Sequence, residues 1–358
     1  MNCPAMKTSI PTRELIGVKV GGYSVRGTYH KPAVRDPSTP NIGETSRIGV
    51  VFLNPGILPR AATGDSGVYW ADSVAACGYP TFRFDLPGLG DSEGNLPTKV
   101  IDFQSSVNSG DYEGVLRGLT KNLVELCDLR GVVVLGFCSG AVTSLYAAAN
   151  DDHVRGLILM DPYFYVQREI TSRSVLSHWQ MRVMRSVEDD WQDSSSTEHN
   201  LWLSLVLKLR VIQHAIKHAV LRARGQGLPG TANLPLIHRW KQVVSSQRPM
   251  LVLSSSWSKP HGGAFDYFDY LLSASDGRSR VEFEVIEGTN HNFADGAGKA
   301  AVQRSIQEWL RQNFPVGASE PGANQCSSAP PLELPHGEDA TPRRDCVTGS
   351  RRQLATHA

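Results

Sequence analysis

Val132-Val133-Val134-Leu135-Gly136-Phe137-Cys138-Ser139-Gly140-Ala141 decides how this chain folds. The four apolar residues Val132 to Leu135 have the composition of a buried strand. The small-residue run Ala141 to Ala149 reads as a helix. Only a short turn separates the two. Gly136 and Gly140 flank it because side chains there would clash across so sharp a bend. The spacing is that of a nucleophile elbow, G-x-S-x-G in its usual form. Here a thiol holds the central position: Cys138 is the elbow residue, and Ser139 stands one place too late.

A nucleophile on such a turn is held clear of its neighbours and faces the substrate carbonyl. The backbone N–H of Ser139 and the N-terminal end of the following helix are expected to point into the site. That helix end favours negative charge, so it stabilises a thiolate and a tetrahedral oxyanion alike. A buried, inert cysteine at a strand end is the other reading of Cys138 taken alone. A second oxyanion donor should come from the loop after an earlier strand. Asn54-Pro55-Gly56-Ile57-Leu58 has the right place, with the N–H of Ile57 or Leu58 as donor, although N-P-G also reads as an ordinary turn.

The base comes from Thr289-Asn290-His291-Asn292-Phe293, after the last strand and before the last helix. A lone histidine is more often structural, but nucleophile first and His last, each at a strand end, favours catalysis by His291. The acid is less plain. It should follow the strand Met250 to Leu253, where the chain reads Ser254-Ser255-Ser256-Trp257-Ser258-Lys259-Pro260 and offers no carboxylate. Asp266 and Asp269 come later, in a segment of helical character. Asp161, in Met160-Asp161-Pro162 at the end of the previous strand, could orient His291, or could simply start a turn before Pro. A Cys–His pair can also work without a strong third member, because a thiol is already partly ionised at neutral pH.

Leu15 to Val20 and Tyr23 to Tyr29 alternate around Gly21-Gly22 and predict a hairpin. Ile48 to Leu53, Thr81 to Phe84, Val154 to Met160, Met250 to Leu253 and Val281 to Ile286 predict strands. Val68 to Cys77 predicts a helix stopped by Gly78. Tyr112, Val115, Leu116, Leu119, Leu123 and Leu126 recur at helical spacing, as do Ala301, Val302, Ile306, Trp309 and Leu310. Strands alternating with helices imply a mostly parallel sheet covered on both faces, with its chemistry at the carboxyl ends of the strands. The core is expected over 12–165 and 248–314. Residues 166–247 read as a helical cap insertion. Within it, Leu201 to Arg224 is apolar and basic, a cap helix over a pocket or, alternatively, a membrane-surface helix. Residues 315–358, rich in Pro, Gly, Ser and charge, read as a disordered tail.

The 358 residues carry a net charge of +1, which gives no bulk attraction to nucleic acid or anionic lipid. Met1 to Pro11 lack the apolar core of a signal peptide, and no run reaches the roughly 18 apolar residues of a spanning helix. A cytoplasmic protein with no integral membrane span and no nucleic-acid partner is expected. The six cysteines, Cys3, Cys77, Cys127, Cys138, Cys326 and Cys346, form no C-x-x-C pair and no zinc-like cluster, so no metal or other cofactor is expected. Cys77 and Cys127, near helix ends, read as small core residues.

With these residues in view, Leu15 to Asn313 resembles the α/β-hydrolase superfamily. Phe84-Asp85-Leu86-Pro87-Gly88-Leu89-Gly90-Asp91-Ser92 is similar to the turn after that superfamily's fourth strand. The nearer resemblance is to bacterial hydrolases with a G-x-C-S-G-A elbow, including those associated with exosortase and exopolysaccharide loci. Gly136 to Ala141, Val154 to Tyr163 and Asn290-His291-Asn292-Phe293 carry it. A Cys elbow also resembles dienelactone hydrolases and polyhydroxyalkanoate synthases, which share the nucleophile but not the flanking sequence. In the superfamily the acid commonly follows the seventh strand, and Trp257 departs from that pattern.

The resemblance implies an α/β-hydrolase fold and a hydrolase of a carboxylic ester or thioester. Its intermediate would be acyl-Cys138, with His291 as base and the N–H groups of Ser139 and Ile57 as oxyanion hole. The partner would be a small-molecule acyl ester or thioester, free or carrier-bound, and the apolar cap suggests a hydrophobic acyl chain. An acyltransferase passing the acyl group to an alcohol, amine or thiol is the alternative. A non-catalytic binding protein on the same fold is the third reading.

Overall fold

The computed structural model describes residues 11–33, 47–166, 232–256, 258, 271 and 280–316. Eight strands form one sheet: β1 (Arg13–Val20), β2 (Tyr23–His30), β3 (Ile48–Leu53), β4 (Thr81–Phe84), β5 (Gly131–Phe137), β6 (Val154–Met160), β7 (Met250–Ser255) and β8 (Val281–Ile286). Their order is β1-β2-β4-β3-β5-β6-β7-β8. The expected hairpin pairs β1 with β2, and β2 meets β4 antiparallel. All other pairings are parallel.

The central strands are nearly all apolar because both faces are covered. Alternation sends successive side chains to opposite sides. Val51, Leu53, Val132, Val134, Leu157 and Leu159 face one core. Val50, Phe52, Val133, Leu135, Ile158 and Met160 face the other. The first core is closed by α2 (Val100–Ser109), α3 (Glu113–Leu126), α4 (Ser139–Ala148) and α5 (Leu234–Ser245). The second is closed by α1 (Ser66–Ala76) and α6 (Gly296–Asn313), the latter through Val302, Ile306, Trp309 and Leu310.

Helix α2 has no counterpart in the sequence reading. It buries only two apolar residues, Phe103 and Val107, too few for a clear helical stripe. Helix α5 falls inside the stretch 166–247. Asn233 caps it by accepting the Leu236 N–H, and Leu236, Ile237, Trp240 and Val243 pack into the core shared with α4. The rest of that insertion (167–231, with Leu201 to Arg224), together with Trp257, Asp266, Asp269 and 317–358, lies outside the described residues. Among the described residues no helix is long and apolar enough to cross a membrane. Cys77 and Cys127 lie half-buried just past α1 and α3, and burial pushes the Cys127 thiol up to about 11.

Candidate active site

The strand β5 runs straight into α4 through Cys138, whose φ of 53° and ψ of −112° lie outside the helical and extended regions. Such a backbone costs on the order of 1–3 kcal/mol and persists only where its surroundings enforce it. Here they do. The Cys138 N–H donates to the Met160 carbonyl at 2.8 Å, and the Cys138 carbonyl accepts from Ala141 N–H at 3.0 Å, the first bond of α4. A Cβ on Gly136 would stand 2.4 Å from the Gly140 carbonyl and from Ser144 Oγ. One on Gly140 would stand 2.7 Å from the Leu53 carbonyl. Both glycines of the elbow are therefore contact points, and the second presses the elbow against the end of β3.

That contact sets the loop after β3 beside Cys138. The buried Ser139 side chain accepts the N–H of Gly56, so this hydroxyl ties the loop to the start of α4. The Leu58 N–H is committed to the Pro55 carbonyl at 3.2 Å. Of the two donors considered for this loop, Ile57 remains.

His291 lies between β8 and α6. The buried Phe293 anchors its loop, with its ring centroid 5.8 Å from that of Phe137, and the His291 imidazole packs on Phe137 at 5.5 Å. At the far end Asp295 accepts from Thr289 Oγ1 at 2.7 Å and caps α6 through Gly298 N–H at 2.7 Å. These bonds hold the Asp295 carboxyl below its usual value, Thr289 contributing most.

The carboxylate that meets His291 is Asp161. Its Oδ2 is 2.9 Å from His291 Nδ1. Asp161 follows β6 with φ of 42°, and its N–H donates to the Leu253 carbonyl at 2.8 Å. Its side chain is buried, and a buried carboxylate is costly unless hydrogen bonds satisfy it. The end of β7 supplies them. Oδ1 accepts from Ser254 Oγ at 3.1 Å and from Ser255 N–H at 2.8 Å. Oδ2 accepts from Ser255 Oγ and Ser258 Oγ, each at 2.8 Å. The serines stand where the sequence pattern called for an acid, and they hold Asp161, the carboxylate after the neighbouring strand. Sequence reasoning missed their part; the signal available was a run of hydroxyls at a strand end.

Burial pulls the His291 imidazole down. Hydrogen bonds to Asp161 and then Cys138, with the charges of both, outweigh it and raise the group to about 10. With Nδ1 held by Asp161, Nε2 is the nitrogen left for Cys138. Tyr163 joins the same neighbourhood: burial first, then its interaction with Cys138, pushes its hydroxyl up. Thus Cys138, Ser139, His291, Asp161 and the Ile57 loop converge at the carboxyl ends of β3, β5, β6 and β8. Among the described residues no group of three or more His, Cys, Asp or Glu side chains could hold a metal ion.

A family model described as the alpha/beta hydrolase fold matches residues 49–217. No curated protein matches the sequence. Among solved structures, an esterase of Pyrococcus furiosus superposes with a TM-score of 0.53 at 12% identity, over 85% of this chain and 92% of that one. The α/β hydrolase GrgF of a Penicillium species does so with a TM-score of 0.51 at 14% identity, over 85% and 99%. At such identities the likeness is one of architecture. The fold of this chain is the α/β-hydrolase fold.

Proposed function

We propose that the protein hydrolyses a carboxylic ester or thioester through an acyl-Cys138 intermediate. The observation that carries this reading is the hydrogen-bonded line from Asp161 through His291 to Cys138, at an elbow. The neighbour from Pyrococcus furiosus is itself called an esterase, which supports the bond type.

The thiolate of Cys138 attacks the acyl carbonyl carbon, and the C=O electron pair moves onto oxygen. The N–H groups of Ser139 and Ile57 bind that oxyanion. As the tetrahedral intermediate collapses, the bond to the leaving oxygen or sulfur breaks, and the His291 imidazolium gives the leaving group its proton. The neutral imidazole then takes a proton from water, whose oxygen attacks the acyl-thioester. Collapse of this second intermediate releases the acid and restores the thiolate and imidazolium. Asp161 fixes the tautomer and stabilises the imidazolium in both states. The substrate is a small acyl ester or thioester, free or on a carrier.

The test is intact-mass analysis with a panel of aryl esters and thioesters. Wild type should show an acyl adduct and release free acid, and Cys138→Ala should show neither. Transfer of the acyl group to an added alcohol, amine or thiol in place of free acid would make the protein an acyltransferase. Absence of any adduct, with Cys138 unreactive to iodoacetamide, would leave a binding protein and end this reading.

A further inference from the structure

The turn from Phe84 to Ser92 is the sequence motif that the reaction leaves unused. Its second residue, Asp85, is fully buried. Asp85 Oδ1 accepts the backbone N–H of Arg60 at 2.6 Å, and Oδ2 takes the Arg60 guanidinium. Asp91, from the same turn, lies 2.8 Å from that guanidinium, and Thr28 Oγ1 accepts its Nε–H at 3.0 Å. From the other side Arg83 donates to the Arg60 carbonyl at 2.7 Å. Arg60 is thus held by its N–H, its carbonyl and its side chain.

The turn is shaped for this task. Gly90 has φ of 49°, and a Cβ on it would stand 2.2 Å from Asp85 Oδ2, so the glycine clears the space that the carboxylate occupies. Ser92 accepts the Arg26 N–H at 2.8 Å and donates to the Asp85 carbonyl at 2.6 Å, which fastens the turn to β2.

Arg60 ends the loop whose other end, Gly56, is tied to Ser139. Ile57 lies between two anchors, one at the nucleophile and one at Asp85. We propose that Asp85 is a positioning residue for the oxyanion loop, setting through Arg60 where the Ile57 N–H stands relative to Cys138. The proposal rests on the hydrolase reading above. An oxyanion donor acts only within a few tenths of an ångström of its working distance, so a loop that drifts loses its effect. Cys138, His291 and Asp161 stand on other loops and would keep their places.

Two reactions of one sulfur separate this role from general support. Acylation builds an oxyanion; alkylation of Cys138 by iodoacetamide, a displacement at saturated carbon, does not. Removing a single oxyanion donor lowers kcat by about 10²–10³, so a displaced one should lower it by roughly tenfold or more. Asp85→Asn should show that loss in ester turnover, with KM little changed and alkylation at the wild-type rate. Hydrogen exchange should quicken across 54–62 and stay unchanged across 139–148. Arg60→Gln should move every readout the same way, and it decides the matter alone if Asp85→Asn does not fold.

Equal losses in acylation and alkylation would make Asp85 a structural residue and overturn the proposal. So would unchanged turnover, or exchange in 54–62 that stays at the wild-type rate. A wild type that is alkylated but never acylated would instead sink the hydrolase reading, and the positioning role with it.

Discussion

Two histidine–aspartate pairs among the described residues, one at the site and one in the scaffold, differ in charge: the first ring is held charged and the second neutral. His291 meets Asp161 at 2.9 Å, and His30 meets Asp72 at 2.7 Å. Distance alone does not tell them apart. Burial lowers both imidazoles, and the carboxylate raises both. The outcome is set by what faces each ring from the other side. Arg83 donates to His30 Nε2 at 2.8 Å, so that nitrogen must be a lone pair. Burial, then the Arg83 charge, drives His30 down to about 4. At His291 the second partner is a thiol able to carry negative charge, and the ring rises to about 10. A His–Asp contact is therefore no signature of catalysis by itself. Here the partner of Nε2 decides whether the ring can exchange a proton.

The largest effect should come from removing the ring that serves as acid and base in the proposed reaction. A positioned acid–base group contributes about 10²–10⁴-fold, so His291→Ala should lower kcat/KM for an ester by that order. Asp161→Asn should cost less than His291→Ala, because a thiol needs a weaker base than a hydroxyl does. Full activity in Asp161→Asn would break the comparison, since the pair at the site would then be as structural as the pair in the scaffold. His30→Gln should leave turnover close to wild type. It should lower stability by about 1–3 kcal/mol, the cost of leaving buried partners unmatched, read by chemical denaturation.

The two rings should also give pH profiles of opposite slope. The folded value of His291 lies above the ordinary 6.5. Its contribution to stability is full below 6.5 and is lost as pH rises through about 10. His30 lies below 6.5, so its contribution is full above 6.5 and is lost as pH falls through about 4. Denaturation midpoints followed from acid to alkaline pH should show the alkaline loss reduced in His291→Gln and the acid loss reduced in His30→Gln. Ring-proton NMR should find His291 charged and His30 neutral at pH 7. Two neutral rings would erase the distinction.

How far the chain could be read follows from the range of each signal. The elbow is a local device: five residues state the turn, the helix start and the thiol between them at once. The strands announced themselves because burial on both faces makes them continuous apolar runs. The acid was different. Asp161 and Ser255 stand far apart in the chain and meet only because β6 lies beside β7, with Met160 opposite Leu253. Residue types alone left Asp161, Asp266 and Asp269 open. His30 offered less still, since its partners Asp72 and Arg83 come from α1 and β4, and nothing in the local pattern of β2 marks it. Arg60 went unread for the same reason: its partner Asp85 was seen only as part of a turn.

The smallest effect should come from the serines that hold the acid. Ser258 Oγ is 2.8 Å from Asp161 Oδ2 and 3.5 Å from His291 Nδ1, so it shares with the imidazole the oxygen that orients it. An oxygen that accepts several donors offers each of them less charge. Ser258→Ala should leave Asp161 Oδ2 with Ser255 Oγ and His291 as its side-chain partners, and the hold on the imidazolium should tighten. The ring should then titrate higher than in wild type. A hydrogen bond to a charged group contributes about 1.5–3 kcal/mol, and Ser258→Ala should lose some of that in stability. Turnover should fall by less than in Asp161→Asn, because the carboxylate remains in place through Ser254 and the Ser255 N–H. The readout is the His291 titration in the variant. A downward shift would mean that the serine supports the imidazolium, and the site would then owe its charge to a wider hydroxyl network than the Asp161–Cys138 line alone.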